Sequence, residues 1–341
     1  MKKYLLQETG NFYKANLHCH STLSDGKHTP EELKAVYRNL GYSIIAYTDH
    51  DILIPHDDLN DEKFLALNGF EVEINPSVPI ARCDRKSCHI CFIALDPDNI
   101  TQPCWSPRYL FANAVNYAHL VKYDKNEPEY IRQYDGEAIS QMMREGRNKG
   151  FFVTYNHPTW SLEAYPQYMS YNNMNAFEMF NGGCNAAGWD DYNPRVYDDM
   201  LMGGKKLYCI GADDNHNHGD PATRFYDSGW AWTMIKADSL DYRKITEALV
   251  DGQFYASEGP EIHELWFEDG KIHVRCSEAD KINCNYGARH AEVKYSENGV
   301  PITEAVFGMN PDWKYCRITV TDKQGKHACT NAYFAEDLFE E

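Results

Sequence analysis

A run of about 18 apolar residues, the length needed to cross a bilayer, occurs nowhere in the 341-residue chain, so no membrane-spanning helix is expected. The first ten residues also lack the apolar core and small-residue cleavage site of an export signal, which gives a cytoplasmic location as the expectation. Basic side chains are scarce: 33 Lys and Arg stand against 51 Asp and Glu, the formal net charge is −18, and no segment is rich in Lys or Arg. Such a surface repels long polyanions and argues against a DNA or RNA groove. A small phosphorylated substrate remains compatible, because a site can carry its own positive charge as bound metal. Eleven cysteines are an odd number for a disulfide framework, and reduced thiols are the simpler reading without an export signal. Cys83, Cys88 and Cys91 lie close together, but no second pair at matching spacing completes a thiolate metal site. Cys88 and Cys91 read instead as small apolar strand residues. Internal repeats, low-complexity linkers and any mark of an oligomeric state are missing as well.

What is present is a 43% hydrophobic chain, enough for a full-sized core. Its first 255 residues alternate between strand-like and helix-like stretches. Residues 13–19 read as a short buried strand. Thr29, Pro30, Glu31 and Glu32 read as a helix start, with a cap, a first-turn proline and acids facing the helix dipole. Leu33, Val36, Tyr37 and Leu40 give that helix one apolar face, and Gly41 ends it. Residues 42–47 form the next strand, completing a β-α-β unit with parallel strands. Further strands are expected over 65–74, 89–95, 151–156, 176–180, 206–212 and 229–235, and helices near 137–148, 194–201 and 242–250. Seven or eight strands with intervening helices predict an α/β barrel, with an open doubly wound sheet as the alternative. After residue 256 the texture changes. Residues 262–267, Asp269-Gly270 and 272–276 read as a hairpin, Asn298-Gly299 marks another turn, and no helix is expected in the tail. The predicted organisation is therefore a barrel over 1–255 and a small all-β, sandwich-like domain over 256–341.

The residues with chemical potential fall where such a barrel places its chemistry. His18 and His20 flank Cys19 and would share one face at strand spacing, so two imidazoles could grip one ion. Asp25 follows in Ser24-Asp25-Gly26. Thr48-Asp49-His50-Asp51 closes the next strand, and Glu71 lies in the third strand region after Gly69-Phe70. Asn156-His157-Pro158 closes another strand, and Asp213-Asp214-Asn215-His216 follows the strand over 206–212. Most of these lie at the C-terminal ends of expected parallel strands; His89, at a strand start, fits less well.

This ordered set resembles the polymerase-and-histidinol-phosphatase (PHP) family of metal-dependent phosphoesterases. The residues that carry the resemblance are Asn16-Leu17-His18-Cys19-His20-Ser21, Ser24-Asp25-Gly26, Thr48-Asp49-His50, Gly69-Phe70-Glu71, Asn156-His157-Pro158 and Asp214-Asn215-His216, within residues 12–255. The resemblance implies a distorted barrel of about seven strands and two or three divalent metal ions. It implies that His18, His20, Glu71 and Asp214 hold a first metal. Glu71 would bridge to a second, also held by His89 and His157, and Asp25, His50 and His216 would hold a third. The chain is one residue longer than the family's usual Gly-x-Asp-x-His, so Asp214 is favoured over Asp213 for keeping the Asp-x-His spacing. Glu71 is favoured over Glu73, which faces the same way. Mixed imidazole and carboxylate ligation suits zinc, manganese or iron better than magnesium. The implied reaction is hydrolysis of a small phosphomonoester by metal-activated hydroxide.

Arg224, just after the last ligand cluster, is a candidate phosphate clamp, although an ordinary surface arginine is the commoner case. Asp49 and Asp51 are candidates to orient His50 or to cap the strand end. His28, His56 and His218 read as surface residues, and Trp160, Trp189 and Trp230 as core or pocket wall. Rival readings are hydrolysis of an amide or lactone, a nuclease or phosphodiesterase, and a binding protein whose barrel is a relic. A complete ligand set speaks against the relic.

Overall fold

In the computed structural model, residues 2–77 and 85–340 are described. Cys83, set aside as part of a thiolate site, lies outside them; the ten described cysteines are all free and buried. The chain begins with strands β1 (Lys3–Tyr4) and β2 (Asn11–Asn16), helix α1 (Pro30–Asn39), β3 (Ile44–Tyr47), β4 (Leu65–Ile74) and β5 (Cys88–Ala94). After a short helix α2 (Ala114–Tyr117) come α3 (Gly136–Asn148), β6 (Phe151–Tyr155), α4 (Tyr165–Ser170), β7 (Ala176–Asn181), α5 (Gly182–Ala186), α6 (Pro194–Met202) and β8 (Tyr208–Ala212). Strand β9 (Trp232–Ala237), helix α7 (Tyr242–Val250) and β10 (Phe254–Ser257) lead into the tail. The tail holds β11 (Ile262–Glu268), β12 (Lys271–Ala279), β13 (Lys281–Tyr286), β14 (Ala291–Tyr295), β15 (Ile302–Gly308), β16 (Tyr315–Thr321), β17 (His327–Thr330), β18 (Tyr333–Phe334) and α8 (Ala335–Phe339).

Local chemistry explains the helix starts. Thr29 Oγ1 accepts from Glu32 N while Glu32 Oε2 accepts from Thr29 N, at 3.3 and 2.9 Å, so two orphan amides of α1 are satisfied reciprocally. Asp135 and Asp241 cap α3 and α7 in the simpler way. The tail helix α8 was not expected from its sequence. It is a single five-residue turn whose Ala335 and Leu338 are buried, too short for a helical period to show.

One mixed 14-stranded sheet runs β14-β13-β16-β17-β10-β9-β2-β3-β4-β5-β6-β7-β8, with β18 beside β16. The pairs β2–β3, β3–β4, β6–β7 and β7–β8 are parallel, as the β-α-β reading requires. Strand β5 runs antiparallel to both β4 and β6. Its first residues therefore lie at the C-terminal ends of its neighbours, which explains why a ligand candidate sits at a strand start.

The expected closed barrel is not formed by strand pairing: among the described residues no ladder joins β8 to β2 or β9. Side chains and loop backbone bring these edges together instead. Thr233 Oγ1 accepts from Gly211 N and donates to Gly211 O at 3.2 and 2.9 Å. Past the strand ends, Asp214 N donates to His18 O at 2.9 Å and His20 N to Asn215 O at 3.2 Å. Asn16 ties the same edges, accepting from Asp213 N at 2.9 Å and donating to Asn215 Oδ1 at 3.0 Å.

The strands of the tail are divided between two sheets. Strand β10, inside which residue 256 falls, pairs with both β9 and β17, so the large sheet continues across that position. A second sheet, β1-β11-β12-β15, faces it. Leu265, Val274 and Phe307 from this second sheet and Ile282, Ile318 and Val320 from the first share one apolar cluster. The β11–β12 hairpin turns at Asp269 and Gly270, whose φ values of 50° and 73° fit the Asp-Gly turn expected there. Buried Arg317 on β16 forms a bidentate pair with Asp198 of α6, at 2.8 and 2.6 Å, and Tyr315 donates to the same carboxylate at 3.0 Å.

Removing Asp198 would strand the Arg317 guanidinium, which is only 3% exposed. Asp198→Ala is therefore expected to cost about 3–5 kcal/mol in urea unfolding. Arg317→Met, which removes the buried charge and keeps volume, should cost clearly less; the reverse order would show that the pair does not join the two parts.

Candidate metal centre

The strand expected over residues 13–19 ends at Asn16, so His18 and His20 lie beyond it and not on a pleated face. Their imidazoles still converge, Nε2 to Nε2 at 3.1 Å, because Cys19 bridges to Asn215 and fixes the intervening backbone. Next in the chain, Asp25 stands on a tight loop. Asp49 shapes it, accepting from the amides and hydroxyls of Ser21 and Ser24 at 2.6–3.1 Å. Gly26 is required there, since a Cβ would lie 2.4 Å from His20 O. Asp49 therefore shapes a loop and does not contact the His50 ring. Asp51 turns away as well and pairs with Arg132.

Glu71, on β4, is the centre of the arrangement. Its carboxylate lies 3.1 Å from His18, 3.3 Å from His20, 3.3 Å from His50, 3.0 Å from His89 and 3.5 Å from His157. Glu73, two residues on, reaches one of these imidazoles, His89, at 3.7 Å. Asp214 faces His18 and His20 at 3.2 and 3.1 Å and His157 at 3.7 Å. Its neighbour Asp213 points the other way, accepting from the amides of Gly229, Trp230 and Ala231 and from Tyr37 at 2.6–2.9 Å. Asp25 lies 3.3 Å from His216, 3.7 Å from His20 and 3.8 Å from His50.

Donor atoms within 4.8 Å of one another thus fall into overlapping groups: His18, His20, Glu71 and Asp214; Glu71, His89 and His157; His20, Asp25, His50 and His216. A further group, His18, His157 and Glu178, adds a residue that the sequence reading missed. Glu178 Oε1 meets His18 Nδ1 at 2.7 Å, and Oε2 accepts from His157 N and Asn181 Nδ2 at 3.0 Å each. This is the carboxylate–histidine pairing that fixes ring tautomer and orientation in metal sites. The available signal was a lone acid inside the apolar strand Ala176–Asn181. Asp227, likewise missed, accepts from His216 N and Asn217 N at 2.8 Å each.

The electrostatics of the cluster call for cations. Burial disfavours the charged form of Glu71 and Asp214, yet the imidazoles around them outweigh it and hold both well below the usual carboxylate range. Conversely, burial alone would lower His18 and His20, but the facing carboxylates push both well up, and His89 is pushed up to about 10. Ionised acids drawing protons onto imidazoles mark a place where metal ions would substitute for protons. His20 Nδ1 and His89 Nε2 are buried with no hydrogen-bond partner, as ligand atoms would be. The donor set fits divalent transition metals. Two of the residues here, His157 and Asp214, hold positive φ values of 25° and 51°, a strain commonly tolerated at functional sites.

A cleft of about 560 Å³ opens onto the cluster, lined by Asp25, His50, Glu71, His89, His157, Asp214 and His216 among others. Arg224 is not brought to it: the residue is exposed, with its guanidinium over the ring of Phe225. Trp160 and His218 line the cleft, whereas Trp189 is an exposed residue elsewhere and Trp230 donates to Tyr226 O. His28 contacts Tyr226, and His56 packs on Tyr47.

No family model matches the chain, and no curated protein matches it either. Solved structures do resemble it. One is a two-domain protein from Bacteroides vulgatus containing a predicted PHP-like metal-dependent phosphoesterase, with 17% identity over 97% of this chain and 98% of that one, at a TM-score of 0.44. Another, named as a metal-dependent phosphoesterase, is from Bifidobacterium adolescentis: 16% identity over 70% of this chain and 98% of that one, TM-score 0.42. A third is an amidohydrolase from Chromobacterium violaceum with bound sulfate and no metal: 16% identity, 70% and 96% coverage, TM-score 0.35.

Because Glu71 faces more imidazoles than any other carboxylate here, Glu71→Ala should reduce metal content, read by elemental analysis, more than His216→Ala. Equal loss would contradict a shared ligand, and greater loss in Glu73→Ala would move the role to Glu73. Glu178→Ala is expected to weaken metal binding about 10–100-fold in chelator competition; unchanged affinity would make it a packing residue.

Proposed function

We propose that this chain is a metal-dependent phosphoesterase that hydrolyses a small phosphomonoester. The observation that carries the reading is one buried carboxylate, that of Glu71, placed within 3.5 Å of five imidazoles. In this reading His18, His20, Glu71 and Asp214 hold one ion, Glu71, His89 and His157 a second, and Asp25, His50 and His216 a third. The ions would be zinc, manganese or iron. When bound, such ions supply Lewis acidity toward phosphoryl oxygens and make water acidic enough to ionise near neutral pH. The chain's own groups do the rest. Glu178 and Asp227 hold His18 and the His216 backbone in place, so the donors meet a substrate already oriented. Trp160 packs edge-on to His89 and His157 at 5.2 Å each and shields them from water. The same reading takes residues 1–255 as the hydrolase and 256–341 as a supporting all-β domain.

A small substrate follows from charge. No Lys or Arg stands among the described residues lining the cleft, and the net charge is −18, so a long nucleic acid finds no row of cations. That same lack of basic side chains favours, as a second reading, hydrolysis of an uncharged amide or lactone.

No helix among the described residues is long and apolar enough to cross a membrane. Loss of activity on chelation, and its return with zinc or manganese, is expected. Nucleoside monophosphate should be hydrolysed faster than a long single strand is cleaved, with little dependence on salt. Faster cleavage of the strand, falling steeply with salt, would establish a nuclease; turnover of amides or lactones alone would establish the second reading.

A further inference from the structure

We propose that the cleft selects esters whose leaving group carries a planar ring, held by Phe111 and Phe225 with Trp160 beside them. This rests on the phosphoester reading above and adds the chemical class of the leaving group.

Phe111, Trp160 and Phe225 are 50%, 40% and 62% exposed, and all three border the same cleft. Large apolar side chains scattered over a surface need no explanation, but three aromatic rings around one polar centre do. Two of them flank different ligand groups. Phe111 stands edge-on to His50, ring centres 5.8 Å apart, and Trp160 stands edge-on to His89 and His157.

The backbone beside each of the three rings is tied to the backbone that carries the ligands. Asn113, two residues after Phe111, donates its amide to Ser24 O at 3.0 Å and its side chain to Thr22 O at 3.1 Å, on the loop that presents Asp25. Ser161 N, next to Trp160, donates to His157 O at 3.1 Å. Gly219, three residues after His216, packs so closely on Phe225 O that a Cβ would lie 2.6 Å from it. A ring bound here meets walls that are already in place, so little ordering is required.

Charge narrows the class further. Besides the ligands, Glu73 and Asp227 line the cleft, and no lysine or arginine does among the described residues. One anionic group is accommodated at the metal centre. A second would face carboxylates. The substrate expected is therefore a monophosphate of a neutral, ring-bearing alcohol. Water supplies the oxygen that bonds to phosphorus, the phosphorus–oxygen bond to the alcohol breaks, and one water proton ends on the alcohol and the other on the phosphate.

The test compares kcat/KM of the metal-loaded protein for 2-phenylethyl phosphate and ethyl phosphate, whose alcohols have similar acidity. The matching pair of acetate esters is run in parallel. A preference for the ring of about ten-fold or more is expected. The ratio should fall toward one in Phe111→Ala and in Phe225→Ala. Phe111→Leu, which keeps apolar bulk without the ring, should lower it too, and guards against a folding defect. A ratio below about two-fold, or one that survives in all three variants, would overturn the proposal while leaving the phosphoester reading standing. A ring preference found only with acetates would keep the ring site and remove the phosphoester reading. Turnover in neither series would overturn both.

Discussion

The Glu71 carboxylate, buried at the centre of five imidazoles, is the interaction on which the rest of the arrangement depends. An ionised acid removed from water needs compensating positive charge close by. Neutral imidazoles alone do not provide it. The cluster meets the need either by taking up protons or by holding metal ions, and the directions of the acid and imidazole shifts report that demand. The segments at the ends of β2, β3 and β6 and the start of β5 each contribute imidazole to this one group. Strained backbone at His157 and Asp214 is tolerated where their side chains complete it.

The scaffold delivers those donors by leaving its sheet incompletely paired. Where a strand ladder could have joined β8 to β2, the chain uses Thr233, Asn16 and the backbone of residues 17–20 and 214–215. Backbone groups beyond the strand ends are thereby satisfied without extending the strands, and the imidazoles project from irregular segments. Asp213 has the complementary role. Burial raises its pKa to about 6, and the amides of residues 229–231 together with the Tyr37 hydroxyl oppose that rise. Adjacent aspartates thus divide the work: Asp213 gathers the backbone behind the centre and Asp214 faces into it.

The segment between β5 and α3 gives the centre its outer wall. It contributes Phe111 at the cleft, and its Arg132 reaches Asp51 and Glu73 O, beside two of the ligand-bearing segments. Arg132 is consequently committed to structure. Among the described residues lining the cleft, the imidazoles are the only side chains that can carry positive charge toward a substrate, in a protein whose overall field is strongly negative.

Much of this was legible in the residues themselves. The β-α-β opening could be read from the Thr29 cap, the apolar face of α1 and Gly41, because helix signals are local. The ligand candidates could be read because the His, Asp and Glu motifs recur in an order that resembles a known family's pattern, although no single spacing sufficed. The turns at Asp269-Gly270 and Asn298-Gly299 were equally local, since few residue pairs accept positive φ twice in succession. The direction of β5, sheet closure and long-range polar pairing were not legible, because each is settled by residues distant in sequence. The reversal of β5, which brings His89 to the centre, appears only once its neighbours are known. Glu178 was an unexplained acid in an apolar strand until β7 was set beside His18, 160 positions earlier. Arg224 stood close in sequence to the ligands, but the path of its loop turns it outward onto Phe225. The sequence determined which groups were available for metal chemistry; only the tertiary structure decided which of them share a single buried charge, because burial and proximity are properties of the packed chain.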